Sequence, residues 1–286
     1  MNAGHTEADD KLGTTRLQQR VVTDELRTLL MSTCGNISRL RDVRPPECHE
    51  HPRDYDDYSS NDVGCTISQR ARTFSGHSVV VVAKVFATHS GGSDEPAIIA
   101  GLQDCKYVVQ LVRSRVLDGH NYVMLLEWLD TEFHKSPHQQ TLEGATKCAQ
   151  QLLAGLVFFA ERGLVHMDIK PSNIGWSHTR QCWTIFDFSV ARYGRAGDGR
   201  HNSSDRCGTT RYMAPEVEQP EDYDGWCDCR ADVYSLGMSL QVMFNSVTDT
   251  AAAHSHHLLV NAVQLMCEQY RDQRRTAAEI LRILDR

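Results

Sequence analysis

Residues 164–176 read LVHMDIKPSNIGW and crowd Asp168, Lys170 and Asn173 into six positions behind an apolar pair and His166. A carboxylate, an ammonium and an amide this close need water or a highly charged partner to offset their desolvation. Fourteen residues past Asn173, TIFDFSVAR (184–192) reads as an apolar strand that delivers Asp187 to its end. Two acidic groups and an amide on hairpin-like segments make a set of hard oxygen ligands and a base. Magnesium favours such oxygen sites and completes its shell with substrate phosphates. Further on, CGTTRYMAPEV (207–217) and DVYSLG (232–237) follow in order. The competing reading of the first cluster is a solvated loop.

Composition bounds the classes open to the chain. Its 286 residues suffice for one large domain or two modest lobes sharing a cleft. With 41% hydrophobic and 23% charged residues it reads as globular rather than disordered. A net charge of −7 argues against a general nucleic-acid binder. It leaves room for an anionic ligand held by a few local cations and a metal. The ten cysteines, with no secretory signal at the N-terminus, are expected to be reduced thiols of a cytoplasmic or nuclear protein. Cys227 and Cys229 do not have the usual zinc spacing, and no matching pair stands nearby. No apolar run approaches bilayer-spanning length, so no membrane partner is expected.

Along the chain, Leu17, Val21, Val22, Leu26, Leu29 and Leu30 fall at helical spacing, which predicts an amphipathic helix over about 15–32. It would pack on the main domain or dock a regulatory partner. Residues 43–62 are acidic, proline-containing and aperiodic, and read as a linker, so residues 1–60 form an N-terminal extension. From Cys65 to Leu129 the chain is strand-like, with HSVVVVAKVFA and NYVMLLEWL as buried strands. Between them EPAIIAGLQ predicts a short helix with Pro96 in its first turn. After about 141 helices dominate, beginning with a stripe of Ala145, Cys148, Leu152, Leu156 and Phe159 that ends near Gly163. The reading is α+β: a small β-rich lobe over about 61–127, a mostly helical lobe over about 130–286, and a hinge near Glu127 to Asp130.

Together these motifs resemble the eukaryotic-type protein kinase superfamily, whose signatures occur in the same order. His166-Met167-Asp168 with Lys170 and Asn173 stands where the catalytic loop belongs. Asp187-Phe188-Ser189 resembles the magnesium-binding triplet, and Ala214-Pro215-Glu216 the end of the activation segment. Asp232 resembles the buried anchor of the catalytic loop, and Arg274 the arginine that pairs with Glu216. The resemblance runs from about Asn61 to the C-terminus. HMDIKPSNI (166–174) is similar to the catalytic loop of the Wee-type cell-cycle inhibitory kinases.

The resemblance implies a bilobal kinase fold, ATP and Mg2+ as cofactors, and a protein substrate. Asp168 would accept the proton of the substrate hydroxyl, and Lys170 would neutralise charge on the transferred phosphoryl group. Asn173 and Asp187 would hold the metal. Lys84 would grip the nucleotide phosphates, with Glu95 holding Lys84 and Gly64 in the phosphate-covering loop. Backbone groups of Glu127 and Leu129 would pair with adenine. Lys84 also reads as a strand-edge lysine. Glu95, only eleven positions after Lys84 and followed by Pro96, also reads as an N-terminal glutamate favoured by the helix dipole.

Departures from the family pattern keep a second reading open. The phosphate-covering loop has Thr66 and Gln69 at its next two glycine positions. Met167 replaces an arginine that clamps a phosphorylated activation segment, so phosphate at Ser203 or Ser204 is not expected to be required. Ser189 replaces a glycine, and Gly175 replaces an apolar residue expected beneath adenine. The interval between Asp232 and Arg274 is short, which predicts reduced lower-lobe helices, with AAAHSHH (251–257) as a surface loop. Lys170 and Thr209 argue for Ser/Thr substrates. The expected function is an ATP- and Mg-dependent Ser/Thr protein kinase. The alternative is a catalytically weak or inactive pseudokinase acting as a binding or scaffold module. A small-molecule kinase fits less well, because the long segment ending in Ala-Pro-Glu builds a peptide platform.

Overall fold

The valine run 79–82 forms the centre of a sheet because β-branched side chains suit an extended, pleated backbone. In the computed structural model, which describes residues 65–72, 78–87, 94–117, 121–137, 139–195, 199–203, 206–245 and 254–285, four strands pair antiparallel. These are β1 (Cys65–Arg72), β2 (Ser78–Ala87), β3 (Leu111–Leu117) and β4 (Asn121–Glu127), in the order β1-β2-β4-β3. Lys84 on β2 faces Thr66 of β1 and Met124 of β4. The predicted helix over 15–32, the linker over 43–62, Gly64, Gly76 and Ser204 lie outside the described residues.

The chain divides into two units. One holds the sheet, with residues up to Gly92 and Leu111–Trp128; the other holds Ser93–Gln110 and Leu129–Arg286. The sequence groups the 95–102 helix with the strands, and the structure groups it with the second unit instead. The helix α1 (Glu95–Gly101) buries Ile98 and Ile99, and its glutamate bonds the backbone at Phe188. The segment after α1 adds Val109 N–H donating to Ile185 O at 3.0 Å.

In the second unit, α2 (Leu142–Ala160) buries Ala145, Cys148, Leu152, Leu156 and Phe159, the stripe the periodicity predicts, together with Ala149 and Leu153. Thr141 caps it by accepting from Gly144 N–H at 3.0 Å, and Gly163 lies three residues past its end in a left-handed conformation with φ 63°. Six short strands in three antiparallel pairs then follow. β5 (Leu164–Val165) pairs with β8 (Arg192–Tyr193), and β6 (Ile174–Ser177) pairs with β7 (Cys182–Ile185). β9 (His201–Asn202) pairs with β10 (Trp226–Cys227). After the one-turn α3 (Pro215–Glu218), α4 (Arg230–Met243) is buried nearly all round, as expected of a helix in the centre of a large core.

The helix α5 (His254–Met266) corrects the loop reading of 251–257 over its described part, because the apolar period of Leu259, Ala262, Val263 and Met266 carries helix back to His254, while 251–253 lie outside the described residues. The last helix, α6 (Ala277–Leu284), begins with a reciprocal capping box between Thr276 and Glu279. Among the described residues, α4 and α5 are the two helices between Asp232 and Arg274. No described helix is long and apolar enough to cross a membrane.

Candidate active site

Strand pairing on either side sets the loop 166–173. It leaves β5 and enters β6 through a 3-10 turn (Pro171–Asn173), while β7 delivers Phe186 to Phe188 alongside it. From below, Asp232 near the start of α4 accepts the amides of His166 (2.7 Å) and Met167 (2.9 Å) on its two carboxylate oxygens. Ser239, two turns along α4, gives its single hydroxyl proton chiefly to Ser235 O at 2.7 Å, with Ile169 O as a weaker acceptor at 3.4 Å. His166 is fully buried: Nε2–H donates to Phe186 O at 3.2 Å, and Nδ1 accepts from Asp168 N–H at 3.3 Å. Burial holds its imidazole neutral, with a pKa of about 4. The same burial pushes the Asp232 carboxyl up to about 7, against the pull of its two amide donors.

Asp168, Lys170 and Asn173 come together through direct bonds. Thr209 Oγ1 donates to Asp168 Oδ1 at 2.7 Å and accepts from Lys170 Nζ at 2.8 Å. Lys170 Nζ also lies 2.8 Å from Asp168 Oδ2, which closes the triangle. Asn173 Nδ2 donates to Asp168 O (2.9 Å) and Oδ2 (3.0 Å), so the amide nitrogen is engaged and its oxygen is left for a hard cation. The carboxylate and ammonium are 14% and 23% exposed, dry enough to act strongly and open enough to be reached.

Backbone strain concentrates here. Met167 (φ 70°) and Asp187 (φ 65°) are non-glycine residues in the left-handed region. Gly208 (φ 109°) has no such latitude, since a Cβ there would sit 2.3 Å from Met167 O. That close approach is what presents Thr209 to Asp168. Met167 itself is buried in an apolar cluster with Val165, Cys207, Ala214 and Val217, where an arginine head group would be desolvated.

The remaining predicted site residues fall as follows. Glu95 is buried at the start of α1, and its Oε1 accepts the Phe188 amide at 3.1 Å, so it supports the segment carrying Asp187. Leu129 is buried against Gly175, where a Cβ would meet Leu129 Cβ at 2.6 Å. Leu129 therefore occupies the space that a side chain at position 175 would take. Lys84, half-buried on β2, and Glu127, at the end of β4, belong to the sheet unit. Gly64 lies outside the described residues. Thr66 and Gln69, at the family's glycine positions, lie inside β1, opposite Lys84 and Val81, within the stretch that the sequence reads as strand-like from Cys65. Ser203 is fully buried, its amide donating to Gly225 O at 3.0 Å.

Sequence reading passes over Ser239, the amide partner of Glu95 and the steric demand at Gly208. Each depends on a residue distant in the chain, and only Gly208 leaves a local trace, as a glycine immediately before Thr209. The resemblance does anticipate Glu216 and Arg274, which form a fully buried pair at 2.8 and 3.1 Å. Arg274 sends its other N–H groups to the carbonyls of Glu268, Arg230 and Gln269.

Comparison with known proteins meets this geometry. The family model described as "Protein kinase domain" matches residues 76–282. The chain is 29% identical over 136 residues to the serine/threonine-protein kinase Kist of Mus musculus, covering 43% of this chain and 31% of that protein. It is 30% identical over 145 residues to a putative mitogen-activated protein kinase kinase kinase 7-like protein of Drosophila melanogaster, covering 48% and 34%. It is 37% identical over 107 residues to CBL-interacting serine/threonine-protein kinase 16 of Arabidopsis thaliana, covering 35% and 22%. The matched stretch spans about a third or less of these relatives' own lengths. With the family model covering most of the chain and the loop, anchor and buried ion pair in place, the chain belongs to the protein kinase domain family.

Proposed function

We propose that this chain is a protein kinase that transfers the γ-phosphate of ATP, with magnesium, to Ser or Thr hydroxyls of a protein substrate. The triangle of bonds among Asp168, Lys170 and Thr209 carries the reading. Phosphoryl transfer asks the protein for positioning and charge neutralisation. Asp168, held by Thr209 and Asn173, accepts the proton as the acceptor hydroxyl attacks phosphorus. Lys170 sits beside that carboxylate and neutralises charge gathering on the transferred group. Asn173 through its amide oxygen and Asp187 through its carboxylate supply the hard oxygen ligands that magnesium prefers, and the metal when bound neutralises the nucleotide phosphates. Lys84, Glu95, Glu127 and Leu129 are assigned to the nucleotide on the strength of the family pattern. Ser/Thr selectivity rests on Lys170 and Thr209, and on the relatives named as serine/threonine kinases.

A second reading, a binding module with little catalysis, is favoured by one observation. Thr66 and Gln69 are taken up into β1 in unbroken register with β2, where the family has a glycine-rich loop. The two readings separate in one experiment: nucleotide-dependent thermal stabilisation with and without magnesium, beside labelled phosphate transfer to a basic and an acidic acceptor protein. Ligand binding raises apparent stability by mass action, so weak nucleotide binding registers. The kinase reading expects magnesium-dependent stabilisation and transfer, both lost in Asp187→Ala, and transfer reduced about 10²–10⁴-fold in Asp168→Asn. Stabilisation without transfer to either acceptor supports the binding module and defeats the kinase.

A further inference from the structure

A cavity of about 540 Å³ opens between the 3-10 turn Thr210–Tyr212, the C-terminal end of α4, and α5. Its lining is mixed: Arg211, Gln241 and Gln264 are polar, and Val242, Val260 and Val263 are apolar. Arg211 is the one charged residue among the described residues that line it. Other arginines of this unit are matched to carboxylates: Arg206 to Glu221, Arg230 to Asp228, Arg271 to Asp224 and Arg274 to Glu216. Arg211, exposed, instead has the ring of its neighbour Tyr212 at 5.8 Å from its guanidinium carbon. On a chain of net charge −7, an exposed cation facing a cavity without a carboxylate of the described residues is a local reversal of sign.

The position of Arg211 gives that reversal a use. Thr209, bonded to Asp168 and Lys170, is only two residues before it. Two residues span at most about 7 Å of backbone, and an extended peptide advances about 3.3–3.6 Å per residue. A group held in this cavity is therefore within a few peptide residues of a hydroxyl presented to Asp168.

We propose that this cavity is a docking site for the carboxylate of an acidic residue in the protein substrate, a few positions from the phosphoacceptor. A carboxylate accepts from the guanidinium fork and from the side-chain amides of Gln241 and Gln264, while the valines pack the methylenes of a glutamate. The inference rests on the kinase reading for its purpose, and its test does not need catalysis.

The test is fluorescence anisotropy of short labelled peptides with Ala at the acceptor position, flanked either by Glu or by Lys, on the full chain. The acidic peptide should bind about tenfold tighter than the basic one, and the preference should shrink at high salt, as expected of a partly exposed charge pair. Arg211→Glu should abolish the preference, and Gln264→Glu, which sets a carboxylate into the lining, should weaken the acidic peptide alone. Equal binding of both peptides, or a preference indifferent to Arg211→Glu, would overturn the proposal. The matching Ser peptides separate the two claims. Transfer to both with the same KM sinks the docking site and leaves the kinase, whereas selective binding without transfer sinks the kinase and leaves the docking site.

Discussion

Thr209 joins the side chains of Asp168 and Lys170 through one hydroxyl, at 2.7 and 2.8 Å, so its loss frees both at once. Thr209→Ala should lower kcat about 10–100-fold with a smaller change in the KM for ATP, and Thr209→Ser should recover most of it, read by steady-state kinetics. Gly175 makes a different demand. A methyl group there would lie 2.6 Å from Leu129 Cβ, so Gly175→Ala should destabilise by about 1–3 kcal/mol in chemical denaturation, as overpacking does. The contrast shows what is legible at this scale. Asp168, Lys170 and Asn173 are readable because their chemistry depends on spacing within six positions. The close approach at Gly175 depends on a residue elsewhere in the chain, and nothing in the local sequence announces it.

At the scale of elements, the activation segment is held by pairing rather than by a clamp at position 167. β9 pairs with β10, and β10 is fixed by Arg271, whose side chain is 8% exposed. Arg271 donates to both carboxylate oxygens of Asp224, at 3.0 and 2.9 Å, and to Trp226 O at 2.6 Å. Arg271→Ala should cost about 1–3 kcal/mol and speed tryptic cleavage at Arg195 and Arg200, while Arg271→Lys restores only part, because an ammonium cannot reproduce the bidentate fork. Met167, packed in its apolar cluster, offers no charge to a phosphate, and Ser203 is buried. Phosphatase treatment should therefore leave phosphate transfer unchanged. Loss of most activity, restored by phosphate at Ser203 or Ser204, would overturn that expectation.

Across the whole molecule, pH acts through groups that folding removes from water. The His166 imidazole ordinarily titrates at 6.5 and is held at about 4 by burial, so between those values unfolding takes up a proton. The stability that the neutral ring contributes is fully present above 6.5 and is lost as pH falls toward 4. Asp232, raised from 3.8 to about 7, acts with the opposite sign, its contribution falling as pH rises across that window. Comparing wild type with His166→Phe cancels the shared carboxyl. Between pH 7 and pH 5 the wild type should lose roughly 2 kcal/mol relative to the variant in denaturant titrations. By itself the sequence determined the order of the motifs, the α+β partition, the stripe of α2 and the residue types gathered around Asp168, because periodicity and short spacing act within a few residues of backbone. Tertiary structure alone decided that α1 sides with the second unit, that Glu95 receives the Phe188 amide, and that Gly208 must pass Met167 without a side chain. Those outcomes follow from which distant surfaces meet and how closely, and packing sets that distance only once the whole chain has folded.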